Sequence, residues 1–205
     1  AASRTEAHAR LQGLKDKFME DILAGSAAQE RPERILAGLM EAGVDVAGHF
    51  VAVKGRAKAD LQDPAAACQR EIETAARSAG GSLQYFRSGP GGCTAAVSLP
   101  GQCSFDALRA AWETALAQEG SALLALGIGG PHAGVMSLGK CGKEASRALE
   151  QAFYAGKGTV ALAGDAGDSD GGQPDSAADR QLVEKIADAV AAGNAAEAAE
   201  YAARY

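Results

Sequence analysis

Apolar residues recur at helical spacing near the start of the chain, where Leu11, Leu14, Phe18 and Ile22 are separated by three and four positions. Lys15, Lys17, Glu20 and Asp21 lie between them, so residues 3–25 are predicted to form an amphipathic helix that Gly25 stops. A second helix is predicted over 31–42, with Pro32 in its first turn, Ile35, Leu36, Leu39 and Met40 on one face, and Gly43 at its end. The period then changes. Phe50, Val51 and Val53 mark a strand over 49–53. Residues 64–80 return to helical spacing, with Asp63 as cap and Ala67, Ile72 and Ala75 facing the core. Two strand-like runs, 82–87 and 94–99, are separated by SGPGGC, whose proline and glycines signal a hairpin. Residues 104–118 read as a helix capped by Ser104, with Phe105, Leu108, Trp112 and Leu116 along one stripe. An apolar strand over 122–128, a helix within 137–155 and a short strand over 159–162 complete the order β-α-β-β-α-β-α-β.

That order predicts an α+β domain with a ferredoxin-like βαββαβ core, in which helices cover one face of a mostly antiparallel sheet. The acidic, glycine-rich run GDAGDSDGGQPD over 164–175 reads as a linker, and 177–205 as two alanine-rich helices broken at Gly193 and Asn194. The expected organisation is therefore entry helices over 1–46, an α+β domain over 47–165, and a linker with a helical arm over 166–205.

Composition narrows the function classes. With 47% hydrophobic and 22% charged residues among 205, the chain is expected to fold rather than stay disordered. No run of about 20 apolar residues is present to span a bilayer, and no signal-peptide pattern opens the chain. Twenty basic against 26 acidic side chains give a net charge of -6, which argues against a nucleic-acid surface on this chain. The absence of an initiator methionine and the helical pattern running up to Tyr205 suggest an excised piece of a longer polypeptide. Cys68, Cys93, Cys103 and Cys141 have no metal-ligand spacing and are expected to be free thiols in a reducing, cytoplasmic setting. A Cys93–Cys103 disulfide stays open if both lie on one hairpin.

Motifs for catalysis are missing. Gly127 and Gly129 begin a G-x-G-x-x-G pattern, but its third glycine would fall at His132, so dinucleotide binding is not expected and a strand end with a tight turn is. There is no P-loop and no G-x-S-x-G elbow. His8, His49 and His132 have no partner at helical spacing, so no metal and no cofactor is expected. His49 is expected at the mouth of the first strand.

The hairpin run Gly91-Gly92-Cys93-Thr94-Ala95, in this strand order, resembles the signature hairpin of GGDEF domains, the diguanylate cyclase fold. Both glycines are kept, while Cys93, Thr94 and Ala95 stand where the signature has acidic residues and an aromatic. The first strand is followed by Lys54, Gly55 and Arg56, where an active cyclase would carry a metal-binding aspartate. Thiol, hydroxyl, methyl and cationic groups cannot hold divalent cations against a triphosphate. The resemblance therefore implies a degenerate, non-catalytic member.

Residues 126–165 also resemble the strand-helix-strand unit in the middle domains of AraC-type response regulators and, more loosely, of purine-catabolism and sugar-diacid regulators. Gly127 and Gly129, Lys143-Glu144-Ala145 with Ala148 and Leu149, and Phe153-Tyr154-Ala155-Gly156-Lys157-Gly158 carry it, with Gly142 where the pattern has an aromatic. Residues 14–25 resemble the helix joining a receiver or sensor to that domain, and 183–205 the helical pair before a helix-turn-helix. The implied role is signal transmission and dimerisation in a transcription regulator, with DNA contacted only through a domain absent from this chain. Leu11, Leu14, Phe18 and Ile22 would then form a homodimer seam or, equally, pack back on their own subunit. An alternative is a sensor of an anionic metabolite or nucleotide in the former cyclase pocket, held by Lys54, Arg56, Arg87, Gly91, Gly92 and Cys93.

Overall fold

The computed structural model describes residues 2–29, 32–58, 61–101, 105–118, 120–156 and 158–163. The acidic run, the C-terminal helical pair, Cys103 and the Ser104 cap lie outside the described residues. Two helices open the chain, α1 (Ala2–Ala24) and α2 (Pro32–Glu41), with a short 3-10 turn between them. They are followed by β1 (His49–Ala57), α3 (Pro64–Ser78), β2 (Ser82–Gly89), β3 (Gly92–Leu99), α4 (Phe105–Leu116) and β4 (Leu123–Ile128). A two-residue strand β5 (His132–Ala133), α5 (Leu138–Ala155) and β6 (Thr159–Leu162) complete the domain. No helix among the described residues is long and apolar enough to cross a membrane.

The sheet order is β2-β3-β1-β4-β6, with β5 pairing the start of β1. All neighbours are antiparallel except β4 and β6. The expected βαββαβ order is present, and its four strands take the ferredoxin-like arrangement. β1 is longer than expected, and the hairpin is tighter. Strands run through Gly89 and Gly92, leaving Pro90 and Gly91 as the turn, where Gly91 takes a φ of 71° that a side chain would disfavour.

Strand alternation divides the core in two. On one face, Val51, Val53, Val97, Leu126 and Ile128 meet Cys68 and Ile72 of α3 and Leu108 and Trp112 of α4. The Asp63 side chain accepts the Ala66 N–H at 3.0 Å and caps α3, with Pro64 behind it, as expected. Glu71 of α3 reaches across to the start of β4, where its carboxylate accepts the Ala122 N–H and the Ser121 hydroxyl. Removing that carboxylate strands a buried amide, so Glu71→Ala is expected to lower stability by about 1–3 kcal/mol in urea unfolding.

The opposite face corrects the one-sided sheet. Phe50, Ala52, Tyr85 and Ala96 are covered by α5 together with Phe18, Met19 and Ile22 of α1 and Ile35 and Leu39 of α2. The entry helices thus belong to the same core as the sheet. α5 approaches β4 closely: a Cβ on Gly127 would lie 2.1 Å from the Leu149 nitrogen, and one on Gly129 would lie 2.1 Å from the Cys141 carbonyl oxygen. The two glycines expected to end a strand and form a turn are therefore the seat of a helix. Gly142, the departure from the helix pattern, faces the Leu23 carbonyl at the end of α1.

Candidate functional site

Cross-strand neighbours point to the same side of a sheet, and so do residues two apart on one strand. Arg87 is opposite Thr94, Thr94 is opposite Lys54, and Arg56 is two residues beyond Lys54. Register therefore places three cationic side chains together on the face shared with α1 and α5. They line an open depression of about 410 Å³, walled by the hairpin from Ser88 to Gly92 and by Leu149 of α5. Ser88 and Thr94 add hydroxyls, and no acidic residue lines it.

Two of the cations have partners nearby. Arg87 is ion-paired with Glu20 of α1, on side chains 61% and 48% exposed. The Arg56 guanidinium lies 5.6 Å from the centroid of the Phe153 ring, in cation-π geometry. Phe153 and its edge-on neighbour Tyr154 are exposed at the end of α5.

Lys54, Arg56, Arg87, Gly91, Gly92 and Cys93 all border this depression. Cys93 does so with its backbone, because its side chain is buried in the core on the α3 side of the sheet, beside Gly55. The hydrogen bond between Cys68 and Cys93 pushes the Cys93 thiol far above the usual thiol range, helped by burial, and lowers that of Cys68. Burial likewise raises the Cys141 thiol. All three are free thiols, with no disulfide among the described residues.

The proposed helix seam is divided by the fold. Phe18 and Ile22 are buried within their own chain, and Leu14 packs partly against them. Leu11 is half-buried, so a seam with a second copy would have Leu11 and Leu14 to offer rather than four residues.

His132 has a carboxylate partner that spacing does not show. Its Nε2 lies 3.0 Å from both oxygens of Glu144, which also accepts the Gly130 N–H at 2.9 Å. The pair clasps the β4–α5 connection onto α5. His49 starts β1, as expected. Among the described residues no three His, Cys, Asp or Glu side chains gather in a way that could hold a metal ion.

A family model described as a GGDEF-like domain matches residues 26–150. No curated protein matches the chain. Among solved structures, the crystal structure of a regulator of polyketide synthase expression from Bifidobacterium adolescentis is similar, with a TM-score of 0.47 and 15% identity. That similarity covers 70% of this chain and 54% of the other, so the chain spans about half the length of that protein.

Proposed function

The chain belongs to the GGDEF-like domain family, and on that premise we propose that it is a non-catalytic regulatory domain whose depression between hairpin and α5 receives an anionic small molecule. The observation that carries this reading is the charge of the site: Lys54, Arg56 and Arg87 converge in a depression whose lining holds no carboxylate, the nearest acidic partner being Glu20 of α1 on Arg87. Metal-dependent nucleotidyl transfer needs acidic ligands at such a place, and Cys93, Thr94 and Ala95 supply none. Cations flanked by hydroxyls and an open glycine turn instead suit an anion, and the volume falls within the range of small-molecule sites.

Incubation with GTP and magnesium or manganese is expected to yield no cyclic dinucleotide, and product formation would overturn the non-catalytic part. A thermal-shift series of phosphorylated and carboxylated metabolites tests the anion part. A ligand at a hundred times its dissociation constant stabilises by about 2.7 kcal/mol. The shift is expected to vanish in Lys54→Ala/Arg56→Ala, and a shift of equal size in that variant would remove the pocket from the reading.

Signal transmission is the second reading, favoured by the seating of α1. Its Phe18, Met19 and Ile22 lie in the same core as Phe50 and Ala52 of β1, the strand that carries Lys54 and Arg56. A displacement of the entry helix would therefore be felt at the strand bearing the site. Such a domain would link an upstream sensor or receiver to a downstream helix-turn-helix in an AraC-type regulator.

A further inference from the structure

Arg87 borders the depression, yet its guanidinium is held by a carboxylate from another element, Glu20 of α1. Glu20 is flanked on that helix by buried Phe18 and Met19 on one side and buried Ile22 on the other. Its position is thus tied to how α1 sits on the sheet. Resting on the anion-site reading above, we infer that Glu20 is a built-in competitor for the site: an incoming anion takes Arg87 from it, and this exchange couples occupancy of the depression to the seating of α1.

The physical terms favour exchange over a permanent lock. Both partners of the pair are largely exposed, and pairs of that kind contribute little net stability. A dianion in the depression meets Lys54 and Arg56 as well as Arg87, so it gains more from the site than a single carboxylate can. Once the anion is bound, Glu20 faces a like charge in place of its partner. Coupling of this kind is reciprocal, so whatever the anion does to α1, α1 does to the anion.

The test uses the full 205-residue chain and inorganic pyrophosphate as probe, with affinities from titration calorimetry. Glu20→Gln is expected to bind pyrophosphate about fivefold more tightly than the wild type, the upper end for loss of one exposed pair. Glu6→Gln removes the same charge from an exposed position near the start of α1 and is expected to leave affinity unchanged. Arg87→Gln is expected to weaken binding and to erase the gain when combined with Glu20→Gln, as a coupled pair must. Saturating pyrophosphate is also expected to speed amide exchange over residues 11–23 in the wild type more than in Glu20→Gln. Wild-type binding that Glu20→Gln leaves unchanged or weakens overturns the inference and leaves the anion site standing. An equal gain in Glu6→Gln overturns it too, by reducing the effect to net charge. Binding by neither the wild type nor Glu20→Gln overturns both the anion site and the inference.

Discussion

Replacing Gly127 with alanine is expected to lower the stability of the domain by about 3 kcal/mol, the upper end for overpacking a filled contact. The added methyl would lie 2.1 Å from the Leu149 nitrogen and 2.3 Å from the Ala145 carbonyl oxygen. Both are backbone atoms of α5, so no rotamer change can make room, and the helix has to retreat from β4. Retreat separates Ala148 and Ala152 from Ala125 and Ala161, which form a small cluster at that contact. For a domain of this size the loss corresponds to a melting temperature roughly 6–12 °C lower. An unchanged urea midpoint would refute the helix-seat account of Gly127. Gly129→Ala is expected to behave alike, because its methyl would meet the Cys141 backbone.

Trp112→Ala is expected to have an effect at least as large, about 3–5 kcal/mol. The indole is fully buried in the core between α4 and the sheet, with Leu108, Leu126 and Ile128, and its removal leaves a cavity there. Its Nε1 is buried with no hydrogen-bond partner. Trp112→Phe keeps most of the apolar volume and removes that stranded donor, so its cost is expected to be smaller, about 1 kcal/mol. Equal losses in the two variants would refute this division between volume and polarity. Trp112 is the one tryptophan of the chain, so both variants are followed by far-UV circular dichroism rather than fluorescence.

What is legible in the sequence is what depends on near neighbours. The Asp63 cap, the apolar stripe of α4 and the hairpin around Pro90 and Gly91 all follow from spacing within one element or between adjacent strands, whereas the shared face of Lys54 and Arg56 does not, because the apolar run that marks β1 stops at Val53 while the strand runs on to Ala57. The place of Arg87 opposite Thr94 is legible, because a hairpin fixes which residue faces which. The contacts that escaped are those made across long stretches of chain. Glu144 meets His132 through the fold rather than through helical spacing, and Glu20 meets Arg87 from a helix whose apolar stripe shows a docking face but not the surface it docks on. The glycines at the end of β4 carried a usable signal: Ala145, Ala148 and Ala152 form a small-residue face on α5 that matches a Gly-x-Gly strand end. Reading strand and helix as a matched pair would have placed the contact. The stripe of α1 is ambiguous for the same reason, since an apolar face looks alike whether a second copy or the same chain covers it.

The two-faced core also sets an order of events in folding. Most of the side closed by α3 and α4 can form from residues that follow one another, around a hairpin and two short crossovers, with Val160 and Leu162 of β6 joining it last. The other side waits: Phe18 and Ile22 are made first, yet their partners Leu138, Cys141 and Ala145 come late in the chain. Until those residues have left the ribosome, the apolar side of α1 and the strand residues Phe50 and Ala52 have only each other and Ile35 and Leu39 of α2 as cover. Such delayed, non-local closure slows folding and exposes sticky surface meanwhile. The entry helix is thus the segment with the longest wait, and a chain that stalls before α5 is the form most prone to aggregate or to need a chaperone.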